Sequence, residues 1–148
     1  MSDENKLNSS ASNELLIEAK TDNLNLVLDF IHDHLANVGC SPKAMMQIDL
    51  AAEEIFVNIA HYAYNPELGH ALVKVEFEEN PVTIVITFMD NGTPYDPLKR
   101  EDPDITLSAE ERQIGGLGIF LTKKTMDEVS YEFKDNKNIL KLKKKLSE

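Results

Sequence analysis

Glu54 and Asn58 stand four residues apart within the run DLAAEEIFVNIAHYAY, residues 49–64, where apolar residues recur at helical spacing. Residues i and i+4 share one helix face, so this carboxylate and carboxamide can act on a single ligand. At about 100° per residue, Ile48, Ala51, Ala52, Ile55, Ile59 and Tyr62 form one apolar stripe, and Met46, Leu50, Val57 and Tyr64 form a second. Gln47, Glu54, Asn58 and His61 fall in the seam between them. A solvated helix edge has the same polar spacing. Apolar surface on both sides favours a ligand cleft instead, because in a dry-walled cleft a carboxylate can serve as a base.

Two further stretches carry chemistry. Asp90-Asn91-Gly92 follows an apolar run and is good turn sequence. A carboxylate at a strand end could also accept a hydrogen bond from a heterocycle's amino group, with Gly92 leaving space for the ring. Gly115-Gly116-Leu117-Gly118 lies where a loop enters a helix. Free amides and a positive dipole end there suit an anion such as phosphate, and glycine lets backbone approach a ligand. Neither familiar phosphate loop fits, since there is no Gly-Lys-Ser/Thr and no third glycine after a strand. His32 and His34 have no cysteine or acidic cluster at ligand spacing and read as surface or edge histidines.

The elements that would position these residues can be read in order. Residues 14–20 make a short first strand. Thr21, Asp22 or Asn23 then caps a helix whose stripe runs Leu24, Val27, Leu28, Ile31, Leu35 and Val38, and Gly39 ends it. Ser41 and Pro42 open the helix over residues 42–64. Residues 71–78 alternate as a half-buried strand, with Val73, Val75 and Phe77 on one face; residues 82–89 read as a strand buried on both faces, the two joined by a turn at Glu79-Asn80-Pro81. Between Asp90 and Ile114 the pattern disappears, as in a lid or binding loop. A helix follows Gly118, and two strands, 129–134 and 139–145, close the chain around a turn at 135–138. The lysines of 141–145 suggest an edge strand guarded by charge. These elements predict an α/β two-layer sandwich with a mostly antiparallel, mixed sheet and helices on one face.

Composition narrows the function classes. The chain has 148 residues, 42% of them hydrophobic, which suits one domain over residues 13–148 behind a polar, disordered tail of residues 1–12. A net charge of −11 argues against nucleic acid and anionic membrane as partners. The single cysteine, Cys40, forms no internal disulfide, and there is no signal peptide or membrane-length apolar run, so a cytoplasmic protein is expected.

Glu54-x-x-x-Asn58 on a helix, Asp90-x-Gly92 after a strand and Gly116-x-Gly118 at the next helix occur in the order of the N, G1 and G2 boxes of the GHKL ATPase and kinase superfamily, which the chain resembles. It is most similar to the anti-sigma-factor serine kinases, as residues 118–129 and Asp90-Asn91-Gly92 leading to Tyr95-Asp96-Pro97 also suggest. The resemblance covers about residues 14 to 145. It implies a Bergerat-type ATP-binding fold in which Asn58 ligates the magnesium ion bridging the phosphates and Asp90 reads the adenine amino group. Gly92, Gly116 and Gly118 would belong to the ATP site, with Gly116 and Gly118 cradling phosphate. Glu54 would be the general base toward a protein serine. The implied partners are a sigma factor, a small anti-sigma-antagonist (STAS) protein, or both, with a homodimer also implied. The alternative is a nucleotide-regulated binding module that sequesters a partner without chemistry. The chain departs from the G1 pattern at Pro94, where a second glycine is common, and the spacing of Arg112 assigns it no role.

Overall fold

The computed structural model describes residues 12–64, 68–99 and 116–147. The tail, Arg112, Gly115 and most of the long loop lie outside the described residues. Strand β1 (Glu14–Glu18) leads through a short 3-10 turn (Thr21–Asn23) into helix α1 (Leu24–Leu35), followed by helix α2 (Pro42–Tyr62). Strands β2 (His70–Glu78) and β3 (Thr83–Asp90) come next, then a second 3-10 turn (Pro97–Lys99), helix α3 (Gly116–Thr125) and strands β4 (Glu128–Lys134) and β5 (Lys137–Lys145). The five strands form one sheet in the order β1-β2-β3-β5-β4, and all four pairings are antiparallel. The helices cover one face, giving the two-layer α/β sandwich.

The core lies between the layers. Ala71, Val73 and Val75 of β2, Ile84, Ile86 and Phe88 of β3, and Leu140 and Leu142 of β5 meet Val27, Ile31 and Leu35 of α1, the buried stripe of α2, and Ile119 of α3. Each such large side chain contributes about 1.5–3 kcal/mol by leaving water. The first stripe of α2 packs as its spacing predicts through Ile48, Ala51, Ala52, Ile55 and Ile59, joined by the fully buried Phe56. Ser41 caps this helix by accepting the Ala44 amide at 3.1 Å, with Pro42 in the first turn.

Several expectations change. Tyr62 leaves the core stripe: it is 46% exposed and stacks on Tyr95 with centroids 5.4 Å apart. Met46 and Leu50 of the second stripe are half exposed, because that stripe points away from the sheet. The seam with Glu54 and Asn58 is therefore walled by the core on one side and by α3, not by a second packed stripe. Asn23 does not cap α1; its amide turns back to donate to the Glu18 carbonyl at 3.0 Å. Helix α1 stops at Leu35, ahead of Gly39, whose φ of 78° suits glycine in the turn. Phe77 is 37% exposed near the end of β2. The lysine-rich β5 is not an edge strand but sits between β3 and β4, and β1 and β4 are the edges. Its lysines reflect alternation: Leu140, Leu142 and Leu146 enter the core, while Lys141, Lys143 and Lys145 occupy the other face of the sheet. Lys143 there reaches Glu78 at 3.0 Å and Glu128 at 3.5 Å.

Candidate functional site

Strand β3 delivers Asp90 to the C-terminal end of the central sheet, on the face the helices cover. Its carboxylate is 4% exposed. The Gly92 amide donates to Oδ1 at 2.9 Å and the Asn138 carboxamide donates to the same oxygen at 2.8 Å. Oδ2 has no hydrogen-bond partner among the described residues. Burial pushes the Asp90 carboxyl up from its ordinary value, with the two hydrogen bonds pulling the other way.

Asn138, the second residue of β5, pairs with Asp90 across the sheet. It is buried, donates also to the Thr93 carbonyl at 3.0 Å, and accepts the Tyr95 amide at 3.1 Å and the Tyr131 hydroxyl. One carboxamide therefore ties the strand-end carboxylate to the following loop and to the edge strand β4. Burial pushes the Tyr131 phenol up, which keeps it a hydrogen-bond donor. Neither residue stands out in the sequence: Asn138 reads as part of a hairpin turn and Tyr131 as an ordinary strand residue. The pairing of β3 with β5 supplies what the linear pattern lacks.

Gly92 does not leave space for a ligand ring. A Cβ there would lie 2.2 Å from the Ala63 carbonyl oxygen, which also accepts the Thr93 amide at 2.8 Å. Its missing side chain lets the loop close on the end of α2. Pro94 is exposed, and Thr93 and Tyr95 on either side of it face the pocket.

From Asp90 a narrow, partly open slot runs along the C-terminal half of α2. Ile55, Ile59 and Ala63 of α2, Phe88, Tyr95, Tyr131 and Leu140 make it largely apolar, with Asp90, Asn138 and Asn58 as polar fittings. Such a wall suits a flat heterocycle, and an acceptor oxygen at its end suits an amino group. Asn58 is 8% exposed, and its amide donates to Glu54 Oε2 at 3.2 Å. Its Oδ1 has no partner among the described residues, a buried oxygen donor that fits a hard cation such as Mg²⁺. Glu54 packs against Gly118 of α3. Gly116 is the first residue of α3, whose amide-bearing end thus lies beside Glu54. Asn58 and Asp90 line the slot; Glu54 adjoins it through its bond to the Asn58 amide, Gly92 through its amide to Asp90, and Gly118 packs against Glu54, while His61 is exposed on the surface. Among the described residues no cluster of three or more His, Cys, Asp or Glu side chains could hold a metal.

A family model described as the histidine kinase-like ATPase domain matches residues 17–144. The chain belongs to this family. The chain is 30% identical over 103 residues to the serine/threonine-protein kinase BtrW of Bordetella bronchiseptica, covering 69% of the chain and 71% of that protein. It is 27% identical over 110 residues to the serine-protein kinase RsbW of Listeria monocytogenes, covering 71% and 69% respectively. The matched span of the histidine kinase-like ATPase domain includes the slot and both of its ends. No helix among the described residues is long and apolar enough to cross a membrane.

Proposed function

We propose that this histidine kinase-like ATPase domain is an ATP-dependent protein serine kinase of the anti-sigma-factor type. The observation that carries the reading is a slot lined by Asp90 and Asn58, each with a side-chain oxygen that has no partner among the described residues, with a second carboxylate, Glu54, bonded to the Asn58 amide beside it. Adenine enters the apolar slot with its amino group donating to Asp90 Oδ2. Tyr95, Tyr131 and Asn138 hold that end, and Gly92 positions Asp90 through its amide. The phosphates extend toward the amide-bearing start of α3.

Mg²⁺, when bound through Asn58 Oδ1, supplies the charge that neutralises the phosphates. Glu54 takes the proton of a protein serine hydroxyl. The serine oxygen bonds to the γ-phosphorus as the bond to the β,γ-bridging oxygen breaks, and ADP leaves. The names of the curated relatives support serine as acceptor. The resemblance in the boxes supports a sigma factor, a STAS-type anti-sigma-antagonist, or both as partners, in the cytoplasm.

The test is to incubate the protein with Mg-ATP and the sigma factors and STAS proteins of its own organism, then search those partners for phosphoserine by mass spectrometry. Transfer that is lost in Glu54→Gln, with ADP binding kept, supports the kinase. ATP-dependent complex formation with no phosphoserine would instead leave a module that sequesters its partner without chemistry.

A further inference from the structure

Gly118 is the third residue of α3, in its first turn, and its φ is not positive. Nothing in its backbone conformation asks for glycine, and glycine weakens a helix relative to alanine. The reason for it lies across the helix interface. A Cβ on Gly118 would stand 1.9 Å from Glu54 Oε1, 2.2 Å from Glu54 Cδ and 2.8 Å from Glu54 Cγ. Those separations are closer than real Cβ atoms come to any neighbour. The missing side chain therefore points at the Glu54 carboxylate. On the other side of that carboxylate, the Asn58 amide holds Oε2 at 3.2 Å.

We propose that Gly118 is a positioning residue for Glu54: its bare Cα is the seat that, together with the Asn58 amide, fixes where the carboxylate stands. This rests on the reading of Glu54 as the base and gives Gly118 a task distinct from cradling phosphate. An anion at Glu54 Oε1 also sits close to the start of α3, where the helix dipole favours negative charge. The carboxylate is thereby held at the phosphate end of the slot, ready for the acceptor hydroxyl.

The test is a mutant cycle in the full chain, read first by urea denaturation and so independent of activity. In the wild-type background, Gly118→Ala should lower the urea midpoint, because the methyl drives the end of the Glu54 side chain off its seat and away from the Asn58 amide. In a Glu54→Ala background the same change should raise it, since only helix propensity remains. Glu54→Asp draws the carboxylate back by about one bond, roughly 1.5 Å, and should relieve most of the penalty. Stabilisation by Gly118→Ala in every background would overturn the proposal.

The second readout separates positioning from phosphate binding. Gly118→Ala should slow phosphate transfer at least tenfold while the ADP dissociation constant stays within about twofold. An ADP affinity that falls as much as the rate would assign the glycine to phosphate and overturn its role toward Glu54. Wild-type protein that binds no ADP would defeat the nucleotide reading, and the sign change in the urea cycle would still decide whether Gly118 seats the carboxylate.

Discussion

At the Asp90 end of the slot two strands and a loop converge on one buried carboxamide, whereas at the Glu54 end two helices meet over a bare Cα. Asn138 makes hydrogen bonds to Asp90, Thr93, Tyr95 and Tyr131, so this end is braced by the fold itself and leaves Asp90 Oδ2 without a partner among the described residues. The Glu54 end holds a carboxylate against Asn58 and Gly118 and leaves Asn58 Oδ1 without a partner among the described residues. The contrast teaches that recognition and chemistry place different demands on the fold. In the proposed kinase a flat base would be selected by fixed walls and one fixed acceptor, while transfer would need a carboxylate and an oxygen ligand that a nucleotide and a cation complete.

Substitutions should separate the two ends. The largest effect is expected at the chemical end: Glu54→Gln should lower the rate of transfer by about 10²–10⁴-fold with ADP affinity nearly unchanged, measured by phosphoserine formation beside calorimetry. Undiminished transfer would remove Glu54 from the base role.

At the recognition end, Asp90→Asn should weaken ADP binding by about 10- to 100-fold, the cost of losing one charged hydrogen bond. The same variant should raise stability at neutral pH. Burial holds the folded Asp90 carboxyl above its unfolded value, so the native state keeps the proton more tightly. The stability linked to that proton is fully present below the unfolded value and lost as pH rises through the folded one. The urea midpoint of Asp90→Asn should therefore exceed wild type at pH 7, and the gap should close as pH falls toward the ordinary carboxyl value. A variant less stable than wild type at pH 7 would mean that the Asn138 and Gly92 hydrogen bonds outweigh burial.

Asn138→Ala should cost about 1–3 kcal/mol of stability, because it strands several buried polar groups, and should weaken ADP binding in parallel. A loss of stability with ADP affinity intact would show that the network braces the fold without shaping the site. The smallest effect belongs outside the slot. His32 Nε2 and Asp49 Oδ1 are hydrogen-bonded at 2.6 Å between α1 and α2 with both side chains partly exposed, and His32→Ala should change stability by less than about 1 kcal/mol with no effect on ADP.

How much of this was legible beforehand follows the range of the interactions. The buried stripe of α2, its Ser41-Pro42 start and the doubly buried β3 are local patterns, and the structure has them where their spacing puts them. The placing of Glu54 and Asn58 on one face is also local. Strand order is not: the lysines of 141–145 look like a guarded edge until β5 is seen between β3 and β4. Asn138 was hidden for the same reason, since its partner Asp90 is 48 residues away in the chain. The glycines were legible as special but not in purpose. Gly92 makes room for Ala63 and Gly118 for Glu54, and only the packed structure shows what a Cβ would strike.

The central claim, a slot that reads adenine through Asp90 at one end and completes a cation site at Asn58 at the other, is tested most directly by calorimetric titration of the protein with ADP and GDP, with and without Mg²⁺. The account predicts ADP binding that Mg²⁺ strengthens and Asp90→Asn weakens, with GDP bound far less well because guanine presents a carbonyl where adenine presents an amino group. Equal binding of ADP and GDP, or no binding of either, would contradict it.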